Sequence, residues 1–366
     1  MSPRDKSLIG AGRVDSPRVD DLVPEEAAAL VEMKYYLDCV LQQKTYSPRA
    51  CASAVDALPE VLEKELTVSP DASKANHLHL LSSGGASAKH LPDVTKFEDI
   101  AAIDHAYVRA FCDDYCLLRY LRAREWNLEK AFTMLAETLR WRWTKRPDQL
   151  KYGDVAKLAQ AGSIYPNGFD KSGRPIMYMR ARRDPPGTTD EKLDQILYTM
   201  EEGVRSMDAS KGVEKFVYII DLAGFSVTQA GADPKLAQAW INVLQNHYPE
   251  RLKLVCVVDA GMIFTGFWNI ISYFIDTETR KKMTFISKAQ FKKELATSDI
   301  FDAQHVEEGF GGEVPELITD DASEKYLASL KAASKNGSGH GTSEKDKAIG
   351  SRTKSTKDRV LGSLFG

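Results

Sequence analysis

The chain lacks any apolar run long enough to cross a bilayer. Its longest uncharged stretch, residues 260–275, is 16 residues and contains Gly261, Gly266 and Asn269, short of the roughly 18 that a spanning helix needs. It also lacks the common signatures of catalysis: no G-x-S-x-G, no H-E-x-x-H and no Walker loop occurs, and these are the spacings that aim a nucleophile, hold zinc or cradle a phosphate. Only five cysteines are present, Cys39, Cys51, Cys112, Cys116 and Cys256, with no C-x-x-C pair, which argues against a disulfide framework or a zinc site and for a reducing compartment. The charge is nearly balanced, 49 Lys and Arg against 52 Asp and Glu, so no overall basic surplus points to nucleic acid. Cys116 and Arg122 have the C-x5-R spacing of a phosphatase loop. The stretch reads as helix and has no glycines to turn backbone N–H groups onto a phosphate. The histidines are scattered, His77 and His79 in a polar segment and His247 beside Tyr248, and read as structural or surface groups.

What is present is a succession of two patterns in 366 residues, enough chain for two domains. Residues 1–20 are expected to be disordered, with no apolar core of a signal peptide. Residues 21–66 carry helical patterns, and 67–92 read as a linker from "SPDASKAN" and "SSGGASAK". Three amphipathic helices are expected over 98–143. Asn127 is a good N-cap for one of them, with Leu128, Ala131, Phe132, Leu135 and Leu139 on a single face. From about 174 the period changes. "RPIMYM", "KFVYIID", "LKLVCVVD" and "MTFIS" are short apolar runs separated by helical segments at 190–209, 233–247 and 261–282. Strands alternating with helices predict an α/β fold with a mostly parallel sheet. Past 319 the chain turns polar and, over 331–366, basic; a disordered tail is expected, ending in "VLGSLFG".

Two features invite a functional reading. Within 260–275, Phe264, Phe267, Trp268, Ile271 and Ile275 follow steps of three and four, one face of a helix that could be a buried core element or a mobile cover. In "NHYPERL", residues 246–252, a proline is followed by a Glu–Arg pair at the mouth of a buried strand, where an uncharged turn would serve the chain equally well.

The strings "CLLRYLRAREWNLEKAFTMLAETLRWR", "GRPIMYM", "VYIIDLAGFS", "NHYPERL", "WNIISYFIDTETRKKM" and "EEGFGGE" follow one another in the order and spacing of the CRAL-TRIO lipid-transfer proteins. Over residues 98–318 the chain resembles that family, and within it the phosphatidylinositol-transfer proteins of fungi and plants. The resemblance implies a helical N-terminal lobe packed on a mostly parallel sheet that forms a gated apolar lipid pocket. It divides the chain into an extension with a helical segment and linker (1–97), the helical lobe (98–150), the lipid-binding domain (151–318) and the tail (319–366). It makes the apolar helix, with Phe264, Phe267, Trp268 and Ile271, the gate, opening at a membrane because its face must be shielded by acyl chains.

The resemblance also assigns site residues. Glu250 of "PER" and Lys282 stand where the family holds the inositol phosphate headgroup, Thr279 matches a headgroup-contacting threonine, and Arg124 a headgroup-side arginine. A buried phosphodiester needs a cation and donors, and inositol hydroxyls need an acceptor. Phe216 and Tyr218 replace the small hydroxyl residues that contact a phosphatidylcholine headgroup in the family, with Tyr178 on the next strand as a substitute hydroxyl. Gly261 and Thr277 stand where prolines are common, implying looser hinges. The expectation is therefore a non-enzymatic, monomeric, cytoplasmic and peripherally membrane-associated carrier. It would need no cofactor beyond a bound phospholipid, would bind no nucleic acid, and would transfer phosphatidylinositol in preference to phosphatidylcholine. Residues 1–97 are available for a lipid kinase or another partner. The alternatives are a carrier of a sterol, tocopherol or retinoid, and a lipid-regulated interaction module.

Overall fold

In a computed structural model, residues 19–44, 47, 93–226 and 233–337 are described. Residues 1–18 of the expected disordered start, 45–46 and 48–66 of the expected helical stretch, the 67–92 linker and the segment beyond 337 lie outside these residues, while Val19–Asp21 form a 3-10 turn.

The N-terminal lobe comprises α1 (Pro24–Gln42), α2 (Glu98–Ala101), α3 (His105–Phe111), α4 (Asp114–Ala123) and α5 (Leu128–Lys145). Short polar side chains start three of them. Asp104, Asp113 and Asn127 accept from the backbone N–H groups of Tyr107, Cys116 and Lys130, filling donors that a helix start leaves open. The face expected on α5 is buried: Leu128, Ala131, Phe132, Leu135 and Leu139 are all at most 2 % exposed. A boundary at residue 97 is not where packing divides the chain. On α1, Met33, Tyr36 and Val40 are wholly buried, and the Tyr36 ring meets those of Phe132 (4.6 Å) and Phe97 (6.4 Å) edge-on. The apolar face of α1 is therefore spent inside the lobe. A partner at the extension would have to bind elsewhere.

After α6 (Tyr152–Ala159) come β1 (Ile164–Phe169) and β2 (Pro175–Arg180), an antiparallel pair. Sequence reasoning missed β1, whose alternation is broken by Pro166 and Gly168. Gly168 has φ +70°, and a Cβ there would meet His305 O at 2.2 Å. The chain then runs through α7 (Thr189–Arg205), β3 (Phe216–Asp221), α8 (Pro234–His247), β4 (Leu252–Val258), α9 (Met262–Ile271), α10 (Thr277–Lys281) and β5 (Met283–Ile286). The sheet order is β1-β2-β3-β4-β5, with β2 to β5 parallel. Parallel crossovers are right-handed, so successive ones place α7, α8 and α9 on the same face. Met177, Phe216, Tyr218, Val255 and Val257 point to that face. Ile176, Tyr178, Val217, Ile219, Cys256 and Val258 point to the other, which is covered by α11 (Lys288–Leu295) and Phe301 and Phe310 after it.

Two expectations change. Residues 261–282 are not one helix. Asp276 accepts from Thr279 N (2.8 Å) and Thr279 Oγ1 (2.6 Å), starting a new helix where the old one would have continued. The polar stretch after 319 begins as α12 (Asp320–Gly337) rather than as a disordered tail. Asp320 accepts from Arg182 and Arg183, Ser323 Oγ donates to Ala161 O (2.6 Å), and Tyr326 OH donates to Lys157 O (2.8 Å). These tertiary bonds have no counterpart in local sequence pattern.

Candidate functional site

Between the first sheet face and α7, α8 and α9 lies a cavity of about 1260 Å³, including space open to solvent at its mouth. The sheet contributes Ile164, Met179, Ile220, Val255 and Val257; α8 contributes Leu236, Trp240, Ile241 and Leu244; and Ile196 comes from α7. Phe264, Phe267, Trp268 and Ile271 of α9, with Ile275 beyond it, close the wall. All the residues expected on one face of the gate therefore line one cavity. Such a space suits long hydrocarbon and supplies few polar contacts.

The opposite side of α9 is apolar as well. Met262 is 92 % exposed, Ile263 and Ile270 are also exposed, and Tyr273, in the 3-10 turn after the helix, is 86 % exposed. A helix apolar on both sides belongs between two apolar phases. Beyond it the chain is fastened to α8 at the start of α10, where Gln245 Nε2 donates to Asp276 Oδ2 at 2.5 Å.

Charged groups gather at the N-terminal ends of β3, β4 and β5. Helix α8 ends at His247, and Glu250 adopts a left-handed backbone, φ 57°. Its carboxylate accepts from Lys215 Nζ at 3.2 Å. Burial pushes the Glu250 carboxyl up, but the charges of Lys215 and Lys282 outweigh it, and it lies below the usual range. The Lys282 ammonium is also held low, first by burial and then by Lys215, against the pull of Glu250. Among the described residues Lys282 makes no ion pair within 4.0 Å. Glu250, Lys282 and Lys215 thus form one electrostatic group, which stands beside the cavity, next to the lining residues Leu252 and Met283, and not in its wall. Thr279 lines the cavity, with its hydroxyl engaged by Asp276. Arg124 Nη1 donates to Ala123 O at 3.0 Å.

Behind this group, Arg119 (2.6 Å) and Arg122 (2.8 Å) pair with Glu214, and Arg251 Nη1 donates to Glu214 O at 2.8 Å. Burial, and then the Arg119 charge, bring the Arg251 guanidinium down to about 9. Two arginines thus share the Glu214 carboxylate, and the third holds the backbone carbonyl of the same residue. This answers the question raised by "NHYPERL": Arg251 ties the turn to Glu214, which the helical lobe also grips, while Glu250 faces Lys215. Sequence reasoning missed Lys215 and Glu214. The charged pair directly before "FVYIID" was the available signal.

The expected second-ligand residues are placed differently. Phe216 and Tyr218 share a face, as alternation requires, but neither lines the cavity. Phe216 packs edge-on against Tyr218 (5.4 Å), and Tyr218 against Trp240 (5.3 Å), which does line it. Tyr178 pairs with Ile219 in the sheet and so points to the opposite face. Its hydroxyl accepts from Glu307 N at 3.0 Å, and it cannot serve as a substitute hydroxyl at this cavity. Cys116 is buried within α4, and burial pushes its thiol up, contrary to what a thiolate nucleophile requires. Among the described residues no cluster could hold a metal, and no helix is long and apolar enough to cross a membrane.

Residues 159–312 match the CRAL/TRIO domain, and residues 89–137 match the CRAL/TRIO N-terminal domain. Among similar proteins, phosphatidylinositol transfer protein PDR17 of Saccharomyces cerevisiae is 30 % identical over 181 residues, covering 46 % of this chain and 51 % of that one. Phosphatidylinositol transfer protein CSR1 of Eremothecium gossypii is 30 % identical over 203 residues, covering 51 % and 46 %. Protein real-time of Drosophila pseudoobscura pseudoobscura is 27 % identical over 277 residues, covering 69 % and 39 %. The chain spans about half or less of the length of each.

Proposed function

The chain belongs to the CRAL/TRIO family, and from that premise we propose that it is a non-enzymatic carrier that takes up one phosphatidylinositol and transfers it, or presents it to a lipid kinase, at membrane surfaces. The observation that carries this reading is a single helix, α9, whose one side lines an apolar cavity while its other side exposes Met262, Ile263 and Ile270, with Tyr273 exposed in the turn that follows. A cover of this kind opens at low cost only where both sides meet hydrocarbon, and a membrane provides that.

The cargo follows from the charged group beside the cavity, where Glu250 and Lys282 stand next to the lining residues Leu252 and Met283. Lys282 and Lys215 offer charge-assisted donors to a phosphodiester, Glu250 offers acceptors to inositol hydroxyls, and Thr279 stands at the cavity rim. Two similar proteins are phosphatidylinositol transfer proteins by name, which supports the same cargo. β3 presents Ile220 to the cavity, and neither Phe216 nor Tyr218, so it offers no small hydroxyl to a phosphocholine and phosphatidylcholine is transferred poorly. The test is to incubate the purified protein with vesicles of mixed phospholipids, re-isolate it, and identify the extracted lipid by mass spectrometry. Enrichment of phosphatidylinositol over its share in the vesicles supports the reading. Enrichment of a sterol or another neutral isoprenoid, or no bound lipid, overturns it.

A further inference from the structure

The cavity has a polar end of its own, apart from the charged group beside Leu252 and Met283. Ser163, Asp184, Lys192 and Gln195 line it, and Ser163, Lys192 and Gln195 are 6 %, 4 % and 3 % exposed. Ser163 immediately precedes β1, and Asp184 follows the C-terminal end of β2. Glu250 and Lys282 stand at the N-terminal ends of β4 and β5, near the other edge of the sheet. Strand rise and spacing put this end and that charged group roughly 20 Å apart, with the apolar lining between them.

The groups at this far end have hydrogen-bonding capacity to spare. Lys192 Nζ is paired with Asp184 and has no other side-chain partner among the described residues, so further N–H directions remain. Gln195 Nε2 donates to Ser163 Oγ at 3.3 Å. That leaves the Gln195 carbonyl oxygen and the Ser163 hydroxyl hydrogen without a partner among the described residues. A plain hydrocarbon end resting here would leave buried donors and an acceptor unanswered, which is costly.

We propose that this end is a second polar subsite, which takes a hydroxyl or carbonyl carried on the part of the cargo remote from its phosphate. The occupant is neutral. Asp184 and Asp233 both border this part of the cavity against the single charge of Lys192, so a second anionic group is disfavoured. The preferred cargo class is an amphiphile polar at both ends, such as a phospholipid with a hydroxylated chain. This rests on the reading of the cavity as a lipid site.

The test is competition between hexadecanoic acid and 16-hydroxyhexadecanoic acid for the full chain, read by native mass spectrometry, beside uptake of plain-chain phosphatidylinositol from vesicles. The wild type is expected to take the hydroxylated acid at least as well as the plain one. Ser163→Ala with Gln195→Leu, which replaces both partners of one hydrogen bond by apolar groups of similar shape, should shift the ratio about tenfold toward the plain acid without weakening plain-acid binding. A wild-type preference for the plain acid of tenfold or more overturns the proposal, and so does a ratio unmoved by the double substitution. The wild-type ratio decides alone should the double variant fail to fold. If phosphatidylinositol is taken up and the ratio is unmoved, only the subsite fails. If neither acid nor phosphatidylinositol binds, the lipid reading fails and the subsite with it.

Discussion

Lys215 Nζ lies 3.2 Å from Glu250 Oε2, joining the residue before β3 to the residue two before β4. The acceptor is held there by a backbone that a glutamate adopts only at a cost, φ 57°. A strained position occupied by a charged side chain is the expected mark of function over stability.

Glu250→Gly and Glu250→Ala separate those two contributions. Both remove the carboxylate, so both should lose phosphatidylinositol transfer equally. Glycine tolerates the left-handed conformation, so Glu250→Gly should be more stable than Glu250→Ala by about 1 kcal/mol. Thermal unfolding beside vesicle transfer checks this, and an alanine variant that is the more stable of the two would contradict it.

The exposed side of α9 should matter for membranes and not for folding. Ile263→Asp with Ile270→Asp should change stability by no more than about 0.5 kcal/mol per site. Burial of each isoleucine in the interface is worth roughly 1.5–3 kcal/mol, so vesicle binding should weaken about a hundredfold or more. Co-sedimentation with vesicles measures this. Collapse of the fold with unchanged residual binding would make α9 an ordinary core helix.

His247 should make the protein acid-sensitive. Its ring stacks on Trp141 at 4.3 Å, and Nδ1 is 3.1 Å from Thr138 Oγ1. Burial, and then the Arg142 charge, bring it down to about 4 from an ordinary value near 6.5. The unfolded chain therefore takes up a proton before the folded one does. The stability His247 contributes is present above about pH 6.5 and lost as pH falls toward 4, up to about 3 kcal/mol in all. His247→Gln should flatten the fall of melting temperature over that window, and an unchanged slope would show that other groups cause it.

Much of this arrangement was legible in the sequence. Period-3 and period-4 spacing gave α5 and the cavity-lining side of α9, and short apolar runs gave four of the five strands, because burial repeats along regular elements. Three things were not legible. Strand β1 carries a proline and a left-handed glycine that mask its alternation. The break at Asp276 depends on one side chain capping the next turn. The docking of α12 depends on Arg182, Arg183, Ala161 and Lys157, all far away in sequence. At the site, Glu250 and Lys282 were named because a resemblance supplied their partnership. Lys215 was missed because the one local signal, its place beside Glu214 directly before the strand, does not say which distant charge it meets.

The Tyr218 hydroxyl and Trp240 Nε1 are buried near one another, and among the described residues neither has a hydrogen bond of good geometry. An unsatisfied buried hydroxyl costs about 1–3 kcal/mol, so Tyr218→Phe should leave stability unchanged or raise it by about 1 kcal/mol. Denaturant unfolding checks the sign. A loss of more than about 1 kcal/mol would mean that the hydroxyl has a partner in solution.

The central claim is that the Glu250–Lys282 group beside the cavity holds the inositol phosphate of a transferred lipid. It is tested most directly by the rate at which labelled phosphatidylinositol moves between vesicles with wild-type protein and with Lys282→Ala. Losing one charge-assisted hydrogen bond costs roughly 1.5–3 kcal/mol, so the variant should keep its melting temperature and transfer about ten- to a hundredfold more slowly. Transfer at the wild-type rate by a folded Lys282→Ala protein, or no transfer by the wild type itself, would contradict the account.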